Sequence, residues 1–214
     1  MTGTRITTVA PATVTETSRT MTRTRVTGLV LAIAVGAAAL TVALTQSGGA
    51  KPGRASGPFA WLRPASPPSG WKVALTPDGA VLAYPPGWTP IKTDPGTASA
   101  ALLGSGGQID AYLNATQRQG TETLADWRQF RPEHNGDEGD RNVRLLAATT
   151  NASFRSGRGS CVIDSYTTSK ASYREIACLV SGARSSAVVV AAAPSEVFNR
   201  QAGTLERAVS SFVG

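Results

Sequence analysis

The sequence predicts an α+β domain, an antiparallel sheet with two packed helices, preceded by one transmembrane helix. Three observations carry that reading. A 19-residue run without charge lies near the N-terminus. Several short segments of β pattern follow, separated by turn signals. Two helical patterns stand apart from each other, and the second closes the chain. Runs of strands with segregated helices are the mark of the α+β class.

Residues 1–25 are mostly Thr, Arg and small residues, with Ile6, Val9 and Val14 as the branched aliphatics. Such a segment buries too little apolar surface to offset its chain entropy and is expected to be a disordered cytoplasmic tail. Residues Val26 to Leu44 match the span of a bilayer core, about 20 residues. Arg19, Arg23 and Arg25 precede the run, and the first charge after it is Lys51. By the positive-inside rule the N-terminus stays cytoplasmic and the remainder is extracytoplasmic. The helix would then hold the chain in membrane lipid. The alternative is an export signal cleaved after a small residue near Thr41-Val42-Ala43 or Ser47-Gly48-Gly49, giving a secreted protein. No Cys lies there to take a lipid anchor. Residues 45–70, rich in Pro, Gly and Ser, read as a linker. Its apolar cluster Phe59-Ala60-Trp61-Leu62 either folds back on the domain or lies at the membrane interface. Residues 71–214 suit one extracytoplasmic domain with an adequate core.

In that domain Lys72–Thr76 and Ala80–Tyr84 flank Pro77-Asp78-Gly79, a hairpin signal. Pro85-Pro86-Gly87-Trp88 breaks the pattern, because Pro lacks the ladder N–H. A second hairpin joins Ala98–Leu103 to Gln108–Asn114 through Gly104-Ser105-Gly106-Gly107. In the latter strand Ile109, Ala111 and Leu113 alternate with Asp110, Tyr112 and Asn114, as in a sheet with one buried face. Glu122–Arg131 reads as a short helix, capped by Thr121 and stopped by Pro132. Further strands are expected at Val143–Ala148, Ser160–Thr168, Tyr173–Val180 and Ser186–Ala192. A final helix spans Glu196–Phe212, capped by Ser195, with Phe198, Ala202, Leu205, Val209 and Phe212 as its apolar stripe.

The run Val81-Leu82-Ala83-Tyr84-Pro85-Pro86-Gly87-Trp88 resembles the opening of small PsbP-like domains, including the LpqN/LpqT-type proteins of actinobacteria. Gly159-Ser160-Cys161-Val162-Ile163-Asp164 and Tyr173-Arg174-Glu175-Ile176-Ala177-Cys178 look like stretches of secreted actinobacterial proteins of unknown function. The resemblance implies a sheet-plus-helices fold and brings no catalytic residue with it. The LpqN/LpqT-type proteins are lipoproteins, and this chain lacks the Cys that a lipid anchor requires.

Cys161 and Cys178 are the only cysteines. A two-residue turn at Ser169-Lys170 places them face to face, whereas a four-residue turn, Ser169–Ser172, makes them diagonal neighbours. Outside the cytoplasm such a pair is expected to form a disulfide. The tighter register also sets Asp164 opposite Glu175, a carboxylate pair able to share a proton.

His134 is the one histidine and falls in a polar stretch, Arg131–Arg141, that reads as a solvated loop. Glu133, Asp137, Glu138 and Asp140 lack the alternation of a calcium loop. One His and two paired cysteines leave too few ligands for zinc, so no metal and no cofactor is expected. No Gly-x-Ser-x-Gly turn is present, and Gly157-Arg158-Gly159-Ser160-Cys161 has the wrong order for one. Nucleic acid is not an expected partner. Beyond the tail the chain carries 17 basic and 13 acidic residues, scattered rather than clustered. The function expected is non-enzymatic binding of a protein or cell-envelope component. The alternative is a cell-envelope hydrolase using carboxylates or His134.

Overall fold

The computed structural model describes residues 57–183 and 185–214. The expected tail, the transmembrane helix Val26–Leu44 and the first part of the linker lie outside the described residues. Among the described residues no helix is long and apolar enough to cross a membrane.

The Asp-Gly turn does what its chemistry dictates. Gly79 takes a φ of 92° and lets β1 (Lys72–Leu75) fold back on β2 (Val81–Tyr84) in the register Lys72↔Tyr84 to Leu75↔Val81. These two strands form a sheet of their own. The other side of β2 bridges the C-terminus, through Val81 and Val213.

The main sheet has seven strands in the order β3-β4-β5-β9-β8-β7-β6. They are β3 (Thr89–Pro90), β4 (Ala98–Leu103), β5 (Ile109–Gln117), β6 (Arg141–Ser153), β7 (Gly157–Thr167), β8 (Ser172–Gly182) and β9 (Ser186–Pro194). Every neighbouring pair is antiparallel. The chain leaves the middle of the sheet after β5, runs through α1 (Trp127–Asp137) to the far edge, and returns as the meander β6 to β9 to pair with β5. The α1 helix lies within that crossing and covers one face of the sheet. The α2 helix (Ser195–Ser211) follows β9 and covers the other.

Side-chain alternation sorts the strands between the two helices. Cys161, Ile163, Ile176, Cys178, Val189 and Ala191 share a core with Phe198, Leu205 and Val209 of α2 and with Phe212 beyond it. Val162, Ala177, Leu179, Val188 and Val190 pack instead around Trp127 of α1. Both faces are therefore buried in the middle of the sheet, where one buried face was expected. That double burial explains the unbroken apolar run on β9. Ile109, expected inside, is exposed at the start of β5.

The stripe predicted on α2 is the one that packs. Phe198, Leu205, Val209 and Phe212 are buried and Ala202 lies beside them. Each of the large side chains contributes roughly 1.5–3 kcal/mol on burial. Ser195 does not cap the helix. Pro194 occupies the cap position and makes no side-chain hydrogen bond. Arg174 lays its guanidinium over the Phe198 ring, 4.8 Å from the centroid.

The apolar cluster in the linker folds back. Phe59, Trp61 and Leu62 pack against the α2-side core, and Ala65 N–H donates to the carbonyl of Ser210 at 3.0 Å. Trp61 Nε1 donates to the Pro58 carbonyl at 2.8 Å.

The two-residue turn decides the register of β7 and β8. Thr168 N–H donates to Ala171 O around Ser169-Lys170, and Thr167 faces Ser172. Cys161 is thereby set opposite Cys178, with Cα atoms 4.1 Å apart, and the two form a disulfide on the α2 side of the sheet. Among the described residues no free cysteine remains.

Candidate functional site

The same register carries a second pair to the opposite face. Asp164 and Glu175 are cross-strand partners, fully buried beneath α1. Two buried carboxylates in low dielectric require compensation, and α1 supplies it. Trp127, Arg131 and Asn135 recur every four residues and so point the same way from the helix. Trp127 Nε1 donates to the Ala177 carbonyl at 3.0 Å and pins the first turn to β8. Arg131 grips Glu175 with two bonds, Nε to Oε1 at 2.7 Å and Nη2 to Oε2 at 3.1 Å. Asn135 Nδ2 sits 3.4 Å from Glu175 Oε1 and 3.5 Å from Asp164 Oδ2.

One guanidinium against two carboxyl groups leaves Asp164 short of a partner. Its Oδ1 meets no donor. Burial, and after it the charge of Glu175, push the Asp164 carboxyl up to about 8, so it keeps its proton at neutral pH. Burial works against the charge of Arg131, but Glu175 outweighs it and holds the guanidinium above its ordinary value. Tyr112 and Tyr166 flank the cluster, their hydroxyls 3.4 Å apart. Burial first and Glu175 second raise both phenols, Tyr112 to about 12. Neither acts as a base near neutral pH.

Beside this sealed cluster lies an open cleft, between α1 and the strands β5 and β9. It consists of two adjoining hollows of about 250 and 260 Å³ that share Thr116, Gln119, Arg131, His134 and Val188. Trp127, Phe130 and Val188 make a carbon wall in the first, which Glu122 also lines. Tyr112 and Asn114 line the second. Trp127, Phe130 and His134 stack in succession along α1, with centroids 5.7 and 5.6 Å apart. His134 Nε2 lies 3.2 Å from Glu138 Oε1.

The residues singled out in the sequence divide accordingly. His134 does not lie in a loop. It sits in α1, which starts at Trp127 rather than Glu122 and runs through Pro132 to Asp137. Thr121 is no cap; Asp126 holds that position. Pro132 forfeits one backbone bond, and the contacts of Trp127, Arg131 and Asn135 with the sheet outweigh that loss. Glu133 accepts a bond from Gln129 at 2.8 Å, while Glu138 faces His134. Among the described residues no group of three or more acidic, His or Cys side chains is placed to hold a metal ion. Asp164 and Glu175 do meet, but they are closed off from the cleft by Arg131 and Asn135. Arg131, Asn135 and Glu122 carried no motif in the sequence. The signal that locates the first two is their four-residue spacing from Trp127, set against acids in register on β7 and β8.

No family model and no curated protein matches the chain. Several solved structures are similar to it. One is cyanobacterial PsbP from Synechocystis sp. PCC 6803, at 15% identity and a TM-score of 0.49, covering 67% of this chain and 92% of that one. Another is a Pseudomonas aeruginosa protein of unknown function, at 11% identity and a TM-score of 0.46, covering 68% of this chain and 98% of that one. LpqN of Mycobacterium tuberculosis, a protein involved in cell envelope biogenesis, aligns at 13% identity and a TM-score of 0.36, covering 69% of this chain and 79% of that one. These likenesses concern the fold, a sheet with helices on it, and no residue role is taken from them.

Proposed function

We propose that this chain is a non-enzymatic binding protein, tethered at the outer face of a membrane by Val26–Leu44, whose α1 cleft receives part of a protein or cell-envelope component. The observation that carries the reading is the cleft itself. Its wall is built from side chains already fixed by the fold, namely Trp127 bonded to Ala177 and Arg131 clamped by Glu175. A preformed concave surface with a carbon wall and a few polar groups is the common form of a recognition site. The tether is supported by the uncharged run and the arginines before it. Placing a photo-crosslinking residue at Gln119, in the cleft, and at Arg207, on α2, tests the reading in cells. An adduct from Gln119 alone is expected; equal adducts, or none from Gln119, would sink it. The intact mass of protein from native membranes tests the tether, since a cleaved N-terminus would mean a secreted chain.

A second reading, a hydrolase, has the His134–Glu138 pair at the cleft in its favour. The carboxylate form of that reading requires Asp164 and Glu175 to reach a substrate, and both are buried. His134→Ala decides the rest. On the hydrolase reading the full chain releases product from cell-envelope material and the variant does not; on the binding reading neither releases any.

A further inference from the structure

Glu122 lines the first hollow, is 5% exposed, and its Oε2 has no hydrogen-bond partner. Among the described residues no cation lies within ion-pair distance of it. The nearby Arg118 directs Nη1 to the Glu122 backbone carbonyl, at 3.3 Å, and not to the carboxylate. Space for that carboxylate depends on Gly120, where a Cβ would come within 2.6 Å of Oε2. A buried acceptor without a donor is costly, and the Glu122 side chain lines the hollow.

The walls define what would satisfy it. Phe130, Trp127 and Val188 offer carbon surface to an aliphatic stem. A carboxylate acceptor beside carbon surface suits an ammonium group, which carries three donors and no acceptor. A metal ion is poorly served, since among the described residues Glu122 belongs to no cluster of ligating side chains. Arg131 and His134 lie farther along α1. His134 is seven residues beyond Trp127, or about 10 Å along the axis, and Asp94 and Glu138 line the second hollow with it. We propose that the hollow takes a primary ammonium on an aliphatic stem, the chemistry of a lysine side chain in a partner polypeptide, with Glu122 as its counter-ion. This rests on the binding reading above and names the group that the cleft selects.

The test uses the full chain in detergent micelles and calorimetric titration with three probes: Nα-acetyl-lysine methylamide, its norleucine analogue and pentane-1,5-diamine. The lysine probe is expected to bind and the norleucine probe to bind at least tenfold more weakly. Glu122→Gln should reduce lysine-probe affinity at least tenfold without lowering Tm, because it removes the unpartnered carboxylate oxygen while keeping the shape. Tighter binding of the diamine than of the capped lysine supports the ammonium site and assigns it to a free diamine. Equal binding of the lysine and norleucine probes overturns the proposal, and this comparison needs no variant to fold. An adduct from Gln119 alone, together with no ammonium binding, overturns this proposal and leaves the binding reading standing. Failure of both experiments removes both.

Discussion

Asp164→Asn isolates the buried carboxyl pair. In the folded chain the Asp164 carboxyl titrates at about 8, raised by burial and then by Glu175, against an ordinary carboxyl value of 3.8. Across that interval the folded state holds a proton that the unfolded state has lost. Stability therefore falls as pH rises from about 4 to about 8, and levels off above. Each pH unit within the window costs about 1.4 kcal/mol, so moving from pH 5 to pH 7 costs roughly 3 kcal/mol through this one group. Asparagine keeps the shape and the donor of the protonated acid without its titration. The variant should lie within about 1 kcal/mol of the parent at pH 5 and be more stable by roughly 2–3 kcal/mol at pH 7. Urea unfolding followed by tryptophan fluorescence at several pH values gives both curves, and their difference cancels every other titrating group. Parallel curves would refute the argument, and so would a variant weaker at pH 7 than at pH 5 relative to the parent.

Arg131→Met removes the cation that balances Glu175 and should cost about 3–5 kcal/mol, read from the urea midpoint, with the larger loss at pH 8. Reducing the Cys161–Cys178 disulfide, which closes a separation of 17 residues, should lower stability by about 3 kcal/mol, measured by unfolding with and without a phosphine reductant. Trp127→Ala empties a site that is 1% exposed and removes the bond from the indole to the Ala177 carbonyl. A loss of about 3–5 kcal/mol is expected by thermal unfolding, with Trp127→Phe intermediate.

The sheet was readable in the sequence because its signals are local. An Asp-Gly turn, a Gly-rich turn and a two-residue turn at Ser169-Lys170 each fix a register, and the last of them also pairs Cys161 with Cys178 and Asp164 with Glu175. The α1 helix was misread because hydrophobic periodicity assumes that a buried face is apolar. Two of the three residues that α1 sends to the sheet, Arg131 and Asn135, are polar, and their partners lie 44 and 40 residues away at Glu175. Pro132 then looked like a stop. The cleft was invisible for a related reason. It is assembled from β5, β9 and α1, which the crossing connection alone brings together. The double burial in the middle of the sheet is legible on β9, whose apolar run is unbroken, but not on β7 and β8, where Asp164 and Glu175 interrupt the pattern.

The ends of the sheets bear on how the domain behaves when crowded. On the main sheet β3 has only two residues, one of them Pro90, which offers no N–H to a newcomer. At the opposite edge β6 is interrupted by three register shifts and carries Arg141 and Arg144. Short, kinked and charged edges are poor templates for another chain. The β1 strand is also short and begins at Lys72, but its Val73 and Leu75 are 55% and 65% exposed. Among the described edges β1 is therefore where self-association of this domain is expected to start, and one charge placed at Leu75 is expected to reduce it.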